Sequence, residues 1–315
     1  MNELSYSSIL VTGGNGAVGT NLVHKLLNFN SKVTVLDDLS QSTSKNLQPT
    51  KNLTIVNGNI NDNKILKKVF KKKYDFIFHL AARFANEMST LDPIEDLRVN
   101  VEGTLQLLIE SAKQNPKRFL YTSSSSLFGV QEKLPIDENT IPNPSTPYAV
   151  SKLTGEYYCK VFSKLYGLNY SIVRLSNSYG PYDPPGNFRN VIPNFIDSAL
   201  KEKDIIITGN GNETRDFTFI DDTVNGILLA TVKSKGKNQT FNLGTGKETK
   251  IKNIAKLILK YTHSNSKIIY KPKRAFDPIN RRRMNITKAQ NLLKYSPKIS
   301  IDFGLQKTCN WIMKK

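Results

Sequence analysis

The stretch Ile9-Leu-Val-Thr-Gly-Gly-Asn-Gly-Ala-Val-Gly19 decides the fold of this 315-residue chain. Its first four residues are apolar or β-branched, which is typical of a short buried strand. Glycines follow at positions 13, 16 and 19, and a helical apolar pattern begins at Val18 and continues through Leu22 and Leu26. Strand, glycine turn and helix in this order predict a dinucleotide-binding unit, in which a helix N-terminus faces a pyrophosphate.

Each glycine of the turn has its own physical reason. Gly13 allows the tight turn, Gly16 lets backbone N–H groups approach a pyrophosphate, and Gly19 lets the helix pack closely on the strand. We therefore assign the whole loop to the cofactor: Gly13, Asn15, Gly16, Ala17, Val18 and Gly19.

A pair of carboxylates after the next candidate strand indicates which dinucleotide is bound. The run Lys32-Val-Thr-Val-Leu36 ends at Asp37, which can accept hydrogen bonds from both hydroxyls of a ribose. A 2′-phosphate would face Asp37 and Asp38 with no arginine beside them. The sequence therefore favours NAD over NADP.

Strand-like runs alternate with helical patterns through the first half of the chain, which predicts βαβ units and a parallel sheet. Candidate strands cover 9–12, 32–36, 53–56, 76–80, 118–122 and 170–175, and candidate helices cover 17–29, 62–72, 93–115 and 147–167. We expect a doubly wound α/β fold with ligands at the carboxyl ends of the strands. Residues 1–176 would form the NAD-binding Rossmann domain and 177–315 mainly a smaller α/β substrate-binding lobe, with about 205–232 returning to the first domain.

A tyrosine and a lysine one helical turn apart suggest an acid–base group. Tyr148 and Lys152 share one face of the predicted helix, and Ser124 lies at the end of a candidate strand. A free phenol loses its proton near pH 10, so a phenolate base at neutral pH needs roughly 4 kcal/mol of stabilisation. One ammonium about 4 Å away, at an effective dielectric of about 20, supplies roughly that much.

Composition restricts the remaining functions. The formal net charge of +19 can indicate a nucleic-acid partner, but the lysines are spread along the chain instead of forming one basic tail. Cys159 and Cys309 form no metal or redox motif, and we expect no bound metal. No apolar run has the roughly 18 residues of a membrane span, and the N-terminus lacks the pattern of a signal peptide. We therefore expect a cytoplasmic protein without a membrane or nucleic-acid partner.

Further motifs accompany these residues along nearly the whole chain. They are Gly58-Asn-Ile60, His79-Leu-Ala-Ala82, Asn100-Val-Glu-Gly-Thr104, Arg174-Leu-Ser-Asn-Ser-Tyr-Gly-Pro181, Asn190-Val-Ile-Pro193, Arg215-Asp-Phe-Thr-Phe-Ile-Asp-Asp222 and Arg274-Ala-Phe-Asp277. With them the chain resembles the extended short-chain dehydrogenase/reductases, in the group of nucleotide-sugar epimerases and dehydratases.

The resemblance implies roles for residues at matching positions. Asn59 and Ile60 would border the adenine, Leu80, Ala81 and Ala82 would line the cofactor, and Asn100 would help to hold the cofactor site together. A nucleotide sugar, most simply a UDP-sugar, would contact Ser124, Ser125, Asn177, Asn190, Val191, Arg215, Arg274, Asp277 and Arg282. Arginine suits a diphosphate because its planar fork matches phosphate oxygens.

The resemblance also implies a reaction. In this group the tyrosine takes a proton from a sugar hydroxyl as hydride passes to NAD, the lysine assists it and holds the nicotinamide ribose, and the serine orients the reacting oxygen. The 4,6-dehydratases carry an Asp-Glu pair directly after that serine or threonine, and uronate decarboxylases carry a nearby Glu. This sequence has Ser125 and Ser126 there. It therefore predicts a 4-epimerase.

Some alternatives stay open at this stage. A 4,6-dehydratase, a decarboxylase or a 4-keto reductase would share the same first step, and a non-catalytic RNA- or ligand-binding member would account for the charge. Arg281, Arg282 and Arg283 could bind an anionic sugar through Arg282, or could form a solvated basic edge with extra phosphate contacts. The family also implies a homodimer through helices near 103–115 and 148–166, although amphipathic helices can equally bury their apolar faces within one subunit.

Overall fold

A parallel seven-stranded sheet forms the centre of the fold in the computed structural model, which describes residues 1–42, 46–84, 86–273 and 278–314. The strands are β1 Ser8–Thr12, β2 Lys32–Asp37, β3 Leu53–Asn57, β4 Phe76–His79, β5 Arg118–Ser124, β6 Tyr170–Leu175, β7 Asn177–Tyr179, β8 Ile205–Thr208, β9 Thr214–Arg215, β10 Phe217–Phe219, β11 Gln239–Leu243, β12 Thr249–Lys250 and β13 Ile268–Lys271. The central sheet has the order β11-β6-β5-β4-β1-β2-β3, which confirms the predicted doubly wound α/β fold.

Helices cover both faces of this sheet. They are α1 Ala17–Leu27, α2 Asn63–Val69, α3 Asn86–Leu91, α4 Pro93–Leu97, α5 Gly103–Gln114, α6 Pro147–Tyr166, α7 Val191–Leu200, α8 Ile220–Val232, α9 Ile251–Thr262, α10 Thr287–Leu293 and α11 Ile301–Met313. Successive residues of β1 show why the strands are apolar throughout. Ile9 and Val11 belong to one buried cluster and Leu10 to another, because side chains of a strand alternate between its two faces.

The order of the strands opens a cleft above β1. The chain runs outward from β1 through β2 to β3 and then returns to place β4 on the other side of β1, where Thr12 pairs with His79. The loops that follow β1 and β4 therefore diverge. Such a reversal creates a crevice at the carboxyl ends of the strands, where ligands bind in open α/β sheets.

The seventh strand, β11, was not predicted from the sequence. It pairs with β6 and contains the polar residues Thr240 and Asn242, which interrupt the apolar pattern. Asn242 is nevertheless buried, because its amide donates to the carbonyl oxygen of Ile136 at 3.0 Å. Of the predicted returning segment 205–232, α8 contacts β5 and β6, whereas β8 pairs with β13 in a separate small sheet. The division of the chain at 176 remains a prediction.

The predicted helix 93–115 is also different in detail. A π-helical turn, Arg98–Glu102, separates α4 from α5. The hydroxyl of Thr104 donates to the carbonyl oxygen of Asn100 at 2.7 Å within this widened turn. Such turns often occur at functional sites, and this one places Asn100 below the cleft.

Candidate active site

One cleft of about 1090 Å³ brings together most of the residues predicted to be functional. Its described lining includes Gly13, Asn15, Gly16, Ala17, Val18, Gly19, Asp37, Asp38, Asn59, Ile60, Leu80, Ala81, Ala82, Ser124, Ser125, Tyr148, Lys152, Asn177, Asn190, Val191, Arg215 and Arg282. Residues from the carboxyl ends of the central strands form one wall, and residues from the second part of the chain form the other.

The three glycines of the loop differ in how much room surrounds them. A Cβ atom at Gly13, whose φ is +70°, would lie 2.5 Å from the backbone nitrogen of Ala81, and one at Gly19 would lie 2.1 Å from the oxygen of Gly13. A Cβ at Gly16 would meet that same oxygen at an ordinary 3.5 Å. Among the described residues, no side chain caps the first turn of α1. Its N–H groups can therefore receive a pyrophosphate.

Two carboxylates lie at the ribose end of the cleft. Asp37 is buried and accepts hydrogen bonds from the backbone nitrogens of Asn15 and Leu39, each at 2.8 Å. Burial raises its pKa, and these two hydrogen bonds oppose the rise. A carboxylate has about four acceptor positions, so Asp37 retains capacity for ribose hydroxyls. The residues present therefore fit NAD.

Asn59 is already engaged near the predicted adenine position. Its amide donates to Asp38 at 2.9 Å, and its carbonyl oxygen accepts from the backbone nitrogen of Asn61 at 2.9 Å. The oxygen keeps one lone pair for an adenine amino group. Its role in binding adenine remains a prediction.

The proposed catalytic residues meet in the middle of the cleft. Tyr148 begins the first turn of α6, whose N-terminus is capped by Thr146, and Lys152 follows one turn later. Ser124 ends β5 and shares a hydrogen bond with the phenol of Tyr148. The Lys152 ammonium donates to the carbonyl oxygen of Thr122 at 3.0 Å and lies 5.8 Å from the centre of the Tyr148 ring.

The pKa of the Tyr148 phenol is shifted upward in this structure, and the lowering by Lys152 remains a prediction. Burial raises the pKa of Tyr148 above its usual value, and the hydrogen bond with Ser124 only partly opposes the rise. Burial also lowers the pKa of Lys152 to about 8. Because burial raises its pKa, Tyr148 is a neutral phenol in this state.

Asn100 does not line the cleft. It is buried in the π-helical turn, where its amide donates to Asp96 at 2.7 Å and to the carbonyl oxygen of Arg83 at 3.1 Å. Its oxygen accepts from the backbone nitrogen of Arg83 at 2.8 Å. Asn100 therefore fixes the segment after β4, which itself lines the cleft, instead of contacting the cofactor directly.

A buried histidine connects the same segment to the sheet. The two ring nitrogens of His79 each lie 2.8 Å from a threonine hydroxyl, that of Thr12 on β1 and that of Thr104 on α5. Burial lowers the pKa of His79 to about 3, with a smaller contribution from the charge of Lys152. The histidine is therefore neutral in the folded protein.

We expect His79 to make the protein less stable in acid. Above its ordinary pKa of 6.5, the histidine is neutral in both the folded and the unfolded chain. As the pH falls from 6.5 towards 3, the unfolded chain binds a proton that the folded chain does not, which costs about 1.4 kcal/mol per pH unit. Urea unfolding between pH 7 and pH 5 should therefore show a weaker pH dependence for His79→Gln than for the wild type.

The control for this experiment is the exposed His263, which adopts a left-handed conformation after α9. His263→Asn tolerates that conformation and should keep the pH dependence of the wild type. Parallel slopes for His79→Gln and the wild type would contradict the assignment.

The second wall carries polar groups suited to a sugar nucleotide. The side-chain oxygen of Asn177 is buried without a hydrogen-bond partner and belongs to a residue that lines the cleft. Asn190 precedes α7 and donates to Asp183 at 3.0 Å. Arg215 on β9 faces the cleft and donates to the carbonyl oxygen of Thr214 at 2.9 Å. Arg274 and Asp277 lie outside the described residues.

The three consecutive arginines point to different places. Arg281 is exposed and forms a two-point ion pair with Glu248, at 3.0 and 2.6 Å. Arg282 is buried, lines the cleft and donates to the carbonyl oxygen of Gly129 at 3.3 Å. The carbonyl oxygen of Arg283 accepts from the backbone nitrogen of Ile136. Only Arg282 of the three lines the cleft.

A sequence model described as the NAD dependent epimerase/dehydratase family matches residues 9–244. The chain belongs to this family. The glycine loop and the serine, tyrosine and lysine of the cleft all lie within the matched region. NAD is therefore the cofactor that the first wall of the cleft accommodates.

Relatives within the epimerase/dehydratase family match almost the entire chain. A UDP-glucose 4-epimerase from Mycolicibacterium smegmatis is 33% identical over 97% of this chain and 98% of its own length. An epimerase structure from Methanothermobacter thermautotrophicus is 38% identical, with a TM-score of 0.97 over 99% of this chain and 94% of its own. A UDP-glucose 4-epimerase from Thermotoga maritima, solved with UDP-glucose, is 34% identical, with a TM-score of 0.93 over 98% of this chain and 99% of its own.

No helix in the described part of this epimerase/dehydratase meets the length and hydropathy that a bilayer crossing requires.

Several other residues line the cleft but were not predicted from the sequence. They come from the segment after β4, from the loop before α7 and from the approach to β9, and include Phe84, Glu87, Asp183 and Glu213. The rings of Phe84 and Tyr148 meet edge to face at 6.2 Å. Burial raises the pKa of Asp183 to about 6. Phe84, Asp183 and Glu213 belong to loops, and Glu87 to the short helix α3, where hydrophobic periodicity gives little signal.

Proposed function

We propose that this protein is an NAD-dependent UDP-sugar 4-epimerase. The observation that carries the proposal is that Ser124, Tyr148 and Lys152 line one cleft. Directly after Ser124 the chain has Ser125 and Ser126, where a dehydratase of this family has two carboxylates. Relatives named as UDP-glucose 4-epimerases cover nearly the whole chain and support the choice of substrate class.

Tyr148 acts as the proton carrier in this proposal. Its phenol oxygen takes the proton of the sugar 4-hydroxyl when the sugar is oxidised. After the 4-keto sugar has rotated in the site, the phenol returns the proton to O4 of the sugar. NAD, which the glycine loop and Asp37 would hold, would supply hydride-transfer chemistry at C4 of the sugar. Ser124 orients the reacting oxygen through its hydroxyl, and Lys152 places a positive charge beside the phenol.

The cleft gives one reason to keep a second candidate. Glu87 lines it on the segment that also carries Phe84, which contacts the ring of Tyr148. A carboxylate on that side could assist the loss of water, as a 4,6-dehydratase requires. The two functions differ in their products, so one experiment separates them.

Product analysis by NMR tests the proposed function. The purified protein should convert UDP-glucose into a mixture with UDP-galactose, with no net consumption of NAD. A 4-keto-6-deoxy sugar would instead identify a dehydratase, and loss of the C6 carbon from UDP-glucuronate would identify a decarboxylase. Absence of any turnover across UDP-, dTDP- and GDP-sugars would contradict an enzymatic function.

Arg282 is assigned to the diphosphate of the substrate. It is buried and lines the cleft, and a charged hydrogen bond from a guanidinium to a phosphate oxygen contributes about 1.5–3 kcal/mol. We expect Arg282→Ala to raise KM for UDP-glucose and UDP-glucuronate alike, by about 10- to 100-fold.

Arg281→Ala is the matched control for that variant. Arg281 is exposed and binds Glu248, so its loss should change both KM values by less than about 3-fold. If Arg282→Ala weakened only the uronate, Arg282 would contact the sugar carboxylate instead of the diphosphate.

The proposed assembly is a homodimer formed through α5 and α6. Exposed apolar side chains follow one face of α6 at helical spacing: Val150, Tyr157, Val161 and Leu165. Ile109 on α5 and the α4 residues Ile94 and Leu97 add to this surface, and α6 contacts both helices. Exposed apolar side chains on neighbouring helices favour association, and a second copy could complete a four-helix bundle.

Leu165→Glu should convert the dimer into a monomer, because a carboxylate would be buried without a partner in the apolar interface. Light scattering coupled to gel filtration measures the mass directly. Leu200→Glu, which alters an exposed leucine on α7, should remain a dimer. A monomeric wild type, or a dimeric Leu165→Glu, would contradict the proposed interface.

We also propose that the enzyme works in the cytoplasm. Cys159 and Cys309 are both buried and unoxidised, which suits a reducing compartment. We also propose that residues 1–176 form a cofactor domain and that residues 177–315 mainly form a substrate lobe, with about 205–232 returning to the first domain.

A further inference from the structure

The ammonium of Lys152 is buried with little hydrogen bonding. Lys152 is 3% exposed, and its Nζ donates a hydrogen bond to the neutral carbonyl oxygen of Thr122. The rings of Tyr121 and Tyr148 lie 5.1 and 5.8 Å from Nζ. A charge removed from water in this way is costly unless an opposite charge compensates it.

Asp96 is a buried carboxylate next to the same helical turn. It is 0% exposed, and one oxygen accepts from the hydroxyl of Ser151 at 2.5 Å while the other accepts from the amide of Asn100 at 2.7 Å. Ser151 directly precedes Lys152 on α6. Burial raises the pKa of Asp96, and the hydrogen bonds from Ser151 and Asn100, which favour the ionised carboxylate, oppose the rise.

Other titratable groups around Lys152 do not supply this negative charge. His79 is neutral, and the pKa values of Tyr121, Tyr148 and Cys159 are raised above their usual values, so all three keep their protons at neutral pH. Glu156 on α6 is bound on both oxygens by Arg174. Arg83, which interacts with Asp96, is itself a cation. Asp96 is therefore the compensating charge.

We propose that Asp96, held in place by its hydrogen bonds to Ser151 and Asn100, is a positioning residue whose negative charge keeps Lys152 charged during the reaction. The inference rests on the proposed function only in that a charged Lys152 assists Tyr148. Asp96 acts through Lys152 and does not line the cleft. The π-helical turn contributes by bringing Asn100 to the carboxylate.

The electrostatic effects agree in sign with this role. Burial lowers the pKa of Lys152 to about 8, and the charge of Asp96 is the largest influence that opposes the lowering. The same charge raises the pKa of Tyr148, but it comes after burial and the hydrogen bond with Ser124 among the influences on that group. Removal of the Asp96 charge should therefore be seen chiefly at Lys152.

A titration of Lys152 tests the proposal without relying on activity. The protein is labelled with ¹³C at lysine Cε, and the signal of residue 152 is assigned by its absence in Lys152→Met. In Asp96→Asn the midpoint of the titration should fall by about one pH unit, because the ammonium loses a favourable negative charge and one unit corresponds to about 1.4 kcal/mol. Asp96→Glu keeps the charge and should keep the midpoint of the wild type.

Ser151→Ala is the matched structural control. It removes the shortest hydrogen bond of the carboxylate but leaves the negative charge, so the midpoint should remain within about 0.3 units of the wild type. In the pH profile of kcat with the active substrate, Asp96→Asn should lose activity on the alkaline side about one unit earlier than the wild type. Ser151→Ala should change the rate equally at all pH values.

An unchanged midpoint in Asp96→Asn would overturn the proposal and leave Asp96 with a structural role alone. Asp96→Ser provides a second neutral variant with a smaller side chain if Asp96→Asn does not fold. Failure of the wild type to epimerise any sugar would contradict the proposed function without affecting the titration. The two failures are therefore distinguishable.

Discussion

Tyr148→Phe is expected to lower the turnover of the UDP-sugar substrate by at least about 10³-fold. The phenol oxygen is the atom that takes and returns the substrate proton, and a positioned acid–base group contributes about 10²–10⁴-fold to rate. The ring itself should stay in place, because it packs edge to face on Phe84. We therefore expect UDP-sugar binding, measured by calorimetry, to change by less than about 5-fold.

Tyr74→Phe is the control for loss of a buried phenol hydroxyl. Tyr74 is buried, and its hydroxyl donates to the carbonyl oxygen of Val69 at 3.0 Å, outside the cleft. It should keep its turnover and lose only about 1 kcal/mol of stability. A Tyr148→Phe enzyme with more than a tenth of the wild-type rate would refute the mechanism.

Glu156→Gln is expected to lower the free energy of unfolding by about 3 kcal/mol or more. Glu156 is 0% exposed and accepts two hydrogen bonds from Arg174, at 2.9 and 2.8 Å. Loss of one partner from a buried ion pair leaves an uncompensated charge, which typically costs 3–5 kcal/mol. Urea unfolding followed by circular dichroism measures the change.

The same pair supports the turn that follows Ser124, the proposed substrate-orienting serine. The guanidinium of Arg174 lies 5.0 Å from the ring centre of Phe128, and another of its nitrogens donates to the carbonyl oxygen of Glu138. We therefore expect Glu156→Gln to be less active as well as less stable.

An exposed pair provides the comparison for Glu156→Gln. Glu110 accepts from Lys113 at 2.6 Å one turn along α5, with the lysine side chain 62% exposed. Glu110→Gln should cost less than about 1 kcal/mol, since water screens such a pair. Equal losses for the two variants would show that burial is not what makes the Glu156 pair important.

The parts of the site that follow from local sequence were predicted correctly in their placement. The glycine loop requires specific backbone geometry within a few residues, and Gly13 and Gly19 have no room for a Cβ atom. Tyr148 and Lys152 share a helix face because a helix places residues four apart together. Ser124 reaches them because β5 ends at the same edge of the sheet as the other parallel strands.

The parts that depend on distant contacts were not predicted. Asn100 was expected to help hold the cofactor site together, but its burial against Arg83 and Asp96 depends on a π-helical turn that periodicity does not reveal. Strand β11 was missed because its polar residue Asn242 is satisfied by Ile136, 106 positions earlier. Arg281, Arg282 and Arg283 are consecutive residues of one type, so the sequence does not distinguish them. Only the packing around β9 turns Arg282 towards the cleft and Arg281 towards Glu248.

The sequence by itself determined the doubly wound sheet, the position of the NAD loop and the identity of the serine, tyrosine and lysine, because short-range backbone and helix geometry fix these features. Only the tertiary structure decided how those groups are charged. Burial raises the pKa of Tyr148 and lowers that of Lys152, and the carboxylate that compensates Lys152 comes from Asp96, 55 positions before its partner Ser151. Solvent exclusion and charge compensation depend on which distant segments pack together, and that is a property of the folded chain.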